Sequence, residues 1–210
     1  MSQSQSQSPS TPLRIAINGF GRIGRCVLRA LHGRKAAGEA LPQIVAINDL
    51  APPETMAHLL KYDTVHRSFG ADIKVDGNKL IVDGESIALV SEPNPEALPW
   101  KELEVDLVLE CTGRFVQAED ASAHIKAGAK RVIISAPAKG DAKTLVYGVN
   151  HTDFDPASDT VVSNGSCTTN CLAPIAKVLL DTFGIERGLM TTIHAYTNDQ
   201  KVLDLPHPKG

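Results

Sequence analysis

Ser163-Asn164-Gly165-Ser166-Cys167-Thr168-Thr169-Asn170-Cys171 sets a cysteine directly after a short polar turn and at the start of an apolar helical pattern. The pattern runs on through Ile175, Val178, Leu179 and Phe183 to a stop at Gly184, with Pro174 inside it, where a kink is expected. The first turn of a helix has unpaired backbone N–H groups and a partial positive charge. A thiol placed there has its thiolate stabilised, and the thiolate is the nucleophile. Cys167 is therefore the candidate nucleophile, and a neighbouring base would complete a reactive pair. Among the seven histidines His194 is best placed, because it ends an apolar run read as a strand over 189–194, and strand ends open into clefts. The competing reading of His194 is a hydrogen-bonded structural imidazole. Cys171, Cys26 and Cys111 read as small buried apolar residues. No second ligand pair has zinc spacing, so no metal is expected.

A second cluster lies near the N-terminus. Gly19-Phe20-Gly21-Arg22-Ile23-Gly24 fits the pattern G-x-G-x-x-G between a predicted strand and a predicted helix. Glycines there permit a tight turn and bring a pyrophosphate close to the helix start. A second strand ends at Asn48-Asp49. A carboxylate at that strand end accepts hydrogen bonds from ribose hydroxyls and repels a 2′-phosphate, so Asp49 favours NAD over NADP. The competing reading is a glycine turn and a capping aspartate with no ligand.

The elements that must position these residues follow from periodicity. Strands are predicted at 13–18, 43–48, 107–109, 132–135, 145–147 and 161–162, and helices at 22–31, 54–61 and 119–127. Between 73 and 90 three short apolar runs are punctuated by Asp76-Gly77 and Asp83-Gly84, the signature of an antiparallel meander. Alternating strands and helices predict an α/β fold with a mostly parallel, doubly wound sheet. Residues 1–11, which alternate Ser and Gln, are expected to be a disordered tail.

Composition narrows the function classes. The net charge of −3 gives no electrostatic case for nucleic acid or a membrane surface, and no run is apolar enough to span a bilayer. The N-terminus lacks a basic segment followed by an apolar run, so no signal peptide is expected. Four unevenly spaced cysteines in a chain of 210 residues point to reduced thiols in the cytoplasm.

In order along the chain, Asn18 to Arg25, Ala46-Ile47-Asn48-Asp49, Lys61-Tyr62-Asp63, Ser166 to Asn170, and His194 to Gln200 resemble the phosphorylating, NAD-dependent glyceraldehyde-3-phosphate dehydrogenases. The resemblance runs from about Leu13 to the last residue. It implies a Rossmann-type NAD-binding domain over 12–165 and the start of an incomplete α+β catalytic domain over 166–210. It implies an oxidoreductase in which Cys167 attacks the aldehyde of glyceraldehyde 3-phosphate, His194 acts as base, hydride passes to NAD, and inorganic phosphate releases 1,3-bisphosphoglycerate from a thioester. By the same resemblance Gly19, Gly21, Arg22, Ile23 and Gly24 form the pyrophosphate turn, and Asp49 holds the ribose. Thr112, Phe115 and Ser135 contact the cofactor, while Ser166, Thr168 and Thr197 contact substrate or phosphate. Leu205-Pro206 matches the NAD-using members, and a homotetramer is implied.

The chain departs from the family pattern at Glu92-Pro93-Asn94-Pro95, where Glu-Arg-Asp-Pro is usual and the arginine flanks the adenine. Most of the family's catalytic domain lies beyond the given residues, so the 210-residue chain is expected to be inactive by itself. Three alternatives stay open: an erythrose-4-phosphate dehydrogenase, a non-catalytic NAD-binding fragment, and a cysteine hydrolase built on Cys167 and His194. The last needs neither the glycine turn nor Asp49.

Overall fold

A computed structural model describes residues 12–37, 39 and 41–197. They fall into two compact units, one up to Ile175 and one from Ala176 on. In the first unit β1 (Arg14–Asn18) leads through the glycine turn into α1 (Arg22–Ala36). β2 (Gln43–Asn48), α2 (Pro53–Lys61) and then β3 (Ile73–Asp76), β4 (Lys79–Val82) and β5 (Glu85–Val90) follow. β6 (Leu107–Glu110), the short helices α3 (Ala118–Ala121) and α4 (Ala123–Lys126), β7 (Arg131–Ile134), β8 (Lys143–Thr144) and β9 (Val161–Ser163) complete the sheet, and α5 (Cys167–Phe183) comes next.

The sheet has the order β3-β4-β5-β2-β1-β6-β7-β9-β8. β3, β4 and β5 form the expected antiparallel meander, with Gly77 and Gly84 at positive φ in its turns. Every other pairing is parallel. This is the doubly wound α/β architecture that strand–helix alternation predicts, with β2 on one side of β1 and β6 on the other. Side chains alternate across the strands, so Ala16, Ala46 and Val108 enter one core with Trp100 and Val132. Ile17 and Ile47 enter the other, with Phe20, Leu28, Met56 and Leu60. Burial on both faces explains why the central strands read as continuous apolar runs.

The register sets the site. Val90, Asn48, Asn18, Glu110, Ile134, Ser163 and Thr144 pair in succession, forming one row across the carboxyl ends of the parallel strands. Crevices at that edge, beside the strand where the winding reverses, are where such sheets bind ligands.

Four expectations are corrected. Cys171, read as a small buried apolar residue, is exposed because α5 buries no side chain, and Cys26 is only half-buried. The predicted helix over 119–127 is two short pieces broken at Ser122, whose hydroxyl donates to the Glu119 carbonyl and competes with the helical ladder. The predicted strand over 145–147 lies earlier, at Lys143–Thr144; Leu145 N–H still donates to Ser163 O, and the chain then turns, leaving Tyr147 exposed. Residues 189–194 form no strand. A ladder needs a partner, and among the described residues none pairs with them. In the second unit every residue from Val178 to Thr197 is exposed. α5 runs through Pro174 and stops at Gly184, whose φ of 74° and N–H bond to Leu180 O end the helix as expected. The N-terminal tail, Asn198 to Gln200 and Leu205-Pro206 lie outside the described residues.

Candidate functional site

The glycine turn is built by contact. Gly19 has φ +92°, and a Cβ there would stand 2.7 Å from Thr112 N. A Cβ on Gly24 would stand 2.4 Å from Gly19 O, so α1 lies too close to the turn for any larger residue. At Gly21 the same construction meets nothing within 4 Å. Gly21 is also the residue that starts α1, and it supplies no side-chain acceptor. No acidic residue occupies the first turn. The start of α1 thus has open space and N–H groups without a side-chain cap, features that suit an anion.

Charged groups frame this opening. Arg22, half exposed at the helix start, is held by Asp63 at 2.6 Å. Asp63 also accepts the N–H groups of His66 and Val65, which with the Arg22 guanidinium hold its carboxyl down to about 2. Arg25 donates to Phe20 O at 2.8 Å from the other side of the turn. Asp49, just past β2, accepts Phe20 N–H at 2.6 Å and Ala51 N–H at 2.9 Å. Its carboxylate therefore staples the glycine turn to the end of β2, a structural task the sequence reading did not assign to it. Each oxygen keeps a lone pair for a ligand hydroxyl. Ile23 is exposed beside Arg22.

On the β6 side, Thr112 packs against Gly19, and its N–H and hydroxyl both donate to Glu110 Oε1. Phe115 is half-buried and meets His124 edge-on at 6.4 Å. Ser135 donates its backbone N–H to Glu110 O. Its hydroxyl bonds Cys111, whose thiol is pushed up to about 11 by burial. The structure therefore brings Gly19 to Gly24, Asp49, Thr112 and Ser135 to one edge of the sheet.

Cys167 follows the end of β9 at that same edge. Ser166 caps its helix: the hydroxyl accepts Thr169 N–H at 2.9 Å and lies 2.8 Å from the Thr169 hydroxyl. Gly165 turns the chain with φ +73°, its N–H donating to Ser163 Oγ, which in turn donates to Ala136 O. Asn170 reaches back to the carbonyls of Asn164 and Ser166. Cys167 is the first helical residue and exposed, Thr168 is half-buried behind it, and no acid occupies the first turn. Ser166 thus has the work of a helix cap. His194 and Thr197 belong to the second unit and are exposed there. His194 Nδ1 lies at hydrogen-bond distance from the carbonyl oxygen of Ala195, to which it can donate. Among the described residues no group of His, Cys, Asp or Glu is placed to hold a metal ion.

Residues 13–118 match the family described as glyceraldehyde 3-phosphate dehydrogenase, NAD binding domain, and residues 166–210 match its C-terminal domain. This chain belongs to the glyceraldehyde 3-phosphate dehydrogenase family. It is 55% identical over 195 residues to glyceraldehyde-3-phosphate dehydrogenase of Geobacillus stearothermophilus, covering 93% of this chain and 57% of the relative. Identity to the enzyme of Chlamydia pneumoniae is 56% over 197 residues, with 94% and 58% covered. For that of Thermotoga maritima it is 54% over 194 residues, with 92% and 57% covered. The chain thus spans 57–58% of the length of these curated relatives.

The dehydrogenase-family domain fits its nucleotide on structural grounds as well: the Gly21 opening, the uncapped start of α1 and the spare lone pairs of Asp49 suit a dinucleotide. Sequence reasoning gave no role to four buried polar residues beneath this site, Asn18, Asn48, Glu110 and His124. One signal was available, a charge closing the apolar run Leu107-Val108-Leu109.

Proposed function

We propose that this chain carries the cofactor half and the nucleophile of a phosphorylating, NAD-dependent glyceraldehyde-3-phosphate dehydrogenase. Residues 12–165 serve as the NAD-binding domain, and residues from 166 begin the catalytic domain. The observation that carries the reading is the placement of Cys167. It is the first residue of a capped helix, exposed, at the strand-end edge that also holds the glycine turn and Asp49. A hydrolase would need the cysteine without the dinucleotide cradle.

In this reading Cys167 Sγ forms a bond to the aldehyde carbon of glyceraldehyde 3-phosphate, and His194 Nε2 takes the hydroxyl proton as the carbon is oxidised. NAD, when bound, supplies the hydride acceptor. Arg22 and the first N–H groups of α1 hold the pyrophosphate, and Asp49 holds the adenosine ribose. Thr112, Phe115 and Ser135 line the cofactor. Ser166, Thr168 and Thr197 hold substrate or the attacking phosphate. Inorganic phosphate then displaces Cys167 Sγ from the thioester, giving 1,3-bisphosphoglycerate and returning the thiolate. The assembly is a homotetramer of the cytoplasm.

The test is NAD reduction by the full-length protein with glyceraldehyde 3-phosphate, with and without inorganic phosphate. Phosphate-dependent turnover is expected. Folded protein that binds no NAD, or that oxidises the aldehyde equally well without phosphate, refutes the proposal.

A further inference from the structure

We propose that Glu110 is a buried positioning residue that fixes Thr112, and through it the glycine turn, for dinucleotide binding; this rests on the NAD-binding reading above. Among the described residues the buried polar or charged ones are Asn18, Asn48, Glu110, His124 and Ser163. Four of these stand in the single row across the strand ends, and His124 bonds to that row. Polar groups are buried only at a cost, so their confinement to the ligand-binding edge calls for an explanation.

Hydrogen-bond direction makes Glu110 the acceptor on which the network converges. Three groups have no choice of role: the backbone N–H groups of Glu92 and Thr112 and the indole N–H of Trp100 can only donate. Glu92 N–H donates to Asn48 Oδ1 at 2.9 Å, so the Asn48 amide nitrogen must face Glu92 O at 2.9 Å and Asn18 Oδ1 at 2.7 Å. Asn18 Nδ2 must then donate to Glu110 Oε2, at 2.5 Å. From the other side Trp100 Nε1–H donates to His124 Nδ1 at 3.0 Å, which puts the imidazole proton on Nε2. That proton points at Glu110 Oε2, 3.1 Å away. The alternative, with Asn18 donating to His124 Nε2 at 3.4 Å, would set Nδ1–H against the indole N–H. Thr112 contributes two more donors to Oε1. The fixed donors of Asn18, His124 and Thr112 therefore all point at Glu110, which accepts on both oxygens. Among the described residues no lysine or arginine pairs with it.

The functional consequence passes through Thr112. Its backbone nitrogen and methyl wall off Gly19 at the contact distances that exclude a Cβ, so the Glu110–Thr112 bonds set where the glycine turn lies. An amide at position 110 can accept from Thr112 or from the Asn18–His124 side, not from both.

The experiment has two readouts. Nitrogen-15 NMR of histidine-labelled full chain at neutral pH is expected to show His124 neutral with its proton on Nε2. In Trp100→Phe, Glu110 alone is expected to hold that same tautomer. An imidazolium, an Nδ1–H tautomer, or a switch of tautomer in W100F overturns the proposal, even if Glu110→Gln fails to fold. Folded E110Q is expected to bind NAD about tenfold more weakly, the size of one lost hydrogen bond. Its cost should shrink in the W100F background, where His124 Nε2 is free to accept from the amide. Equal NAD affinity of parent and folded E110Q also overturns it. A parent that binds no NAD refutes the function proposed above and leaves the tautomer result standing.

Discussion

The strand-end row and the residues from Cys167 onward are built on opposite principles. In the row, Asn48, Asn18, Glu110 and Ser163 are buried, and each has hydrogen-bond partners anchored on a different strand or loop. In α5 no residue is buried, and Leu172, Ile175, Val178, Leu179 and Phe183 are exposed. The contrast teaches that recognition and chemistry are held by different means. The proposed cofactor cradle is tied together by long-range hydrogen bonds and close backbone contacts. Cys167, the proposed nucleophile, is exposed at the start of a helix capped by Ser166.

The largest effect comes from removing the proposed nucleophile. Cys167→Ser in the full-length protein should lower kcat by about 10³-fold or more, since a hydroxyl at that position is a far weaker nucleophile. NAD affinity should stay at the parental value. Loss of both together would break the comparison, because it would tie the cradle to the Cys167 side chain.

The two cysteines sharpen the same point. Cys111 ends β6 with its thiol pushed from 9.0 up to about 11 by burial, against a smaller opposing effect from Ser135. At neutral pH it then carries about a hundredfold less thiolate than an ordinary thiol. Brief alkylation with iodoacetamide, mapped by peptide mass, should mark the exposed Cys167 and spare Cys111. Equal labelling would show that the strand-end region opens as readily as α5.

Within the cradle the glycines separate packing from binding. Gly24→Ala forces a Cβ against Gly19 O and should destabilise the fold by ~1–3 kcal/mol, read from denaturant unfolding. Gly21→Ala meets open space, so stability should change by less than ~1 kcal/mol. NAD affinity should nonetheless fall about tenfold, because that space is where a phosphate approaches the helix start. An affinity unchanged in Gly21→Ala would remove the ligand from the opening.

The same division explains what the sequence made legible. The parallel strands, the meander with its Asp-Gly turns and the stop at Gly184 follow from local pattern, and the structure has them. The Ser122 break and the edge strand Lys143–Thr144 were misplaced because a side-chain hydroxyl and a choice of ladder partner decided them. Residues 189–194 have strand composition and no partner strand among the described residues, so composition alone did not make a strand. Glycine turn, Asp49 and Cys167 were legible because each sits in a short motif. The Glu110–His124–Trp100 chain was not, because its members are 14 and 24 residues apart and meet only through the fold.

The smallest effect tests how Arg22 is aimed. The Asp63 carboxyl is held down to about 2, first by His66 N–H and then by Val65 N–H and the Arg22 guanidinium. Its folded value lies below the ordinary carboxylate value of about 3.9, so its stabilisation is complete above that range and is lost as pH falls through about 2. Thermal midpoints of the parent and Asp63→Asn should differ by a constant amount from about pH 7 to pH 5, and the two curves should converge between about pH 4 and pH 2. Release of Arg22 from its 2.6 Å pairing should also weaken NAD binding modestly at neutral pH, through a less ordered guanidinium at the start of α1. A gap that persists undiminished to pH 2 would show that Asp63 acts through packing and not through its charge, and Arg22 would then need another restraint.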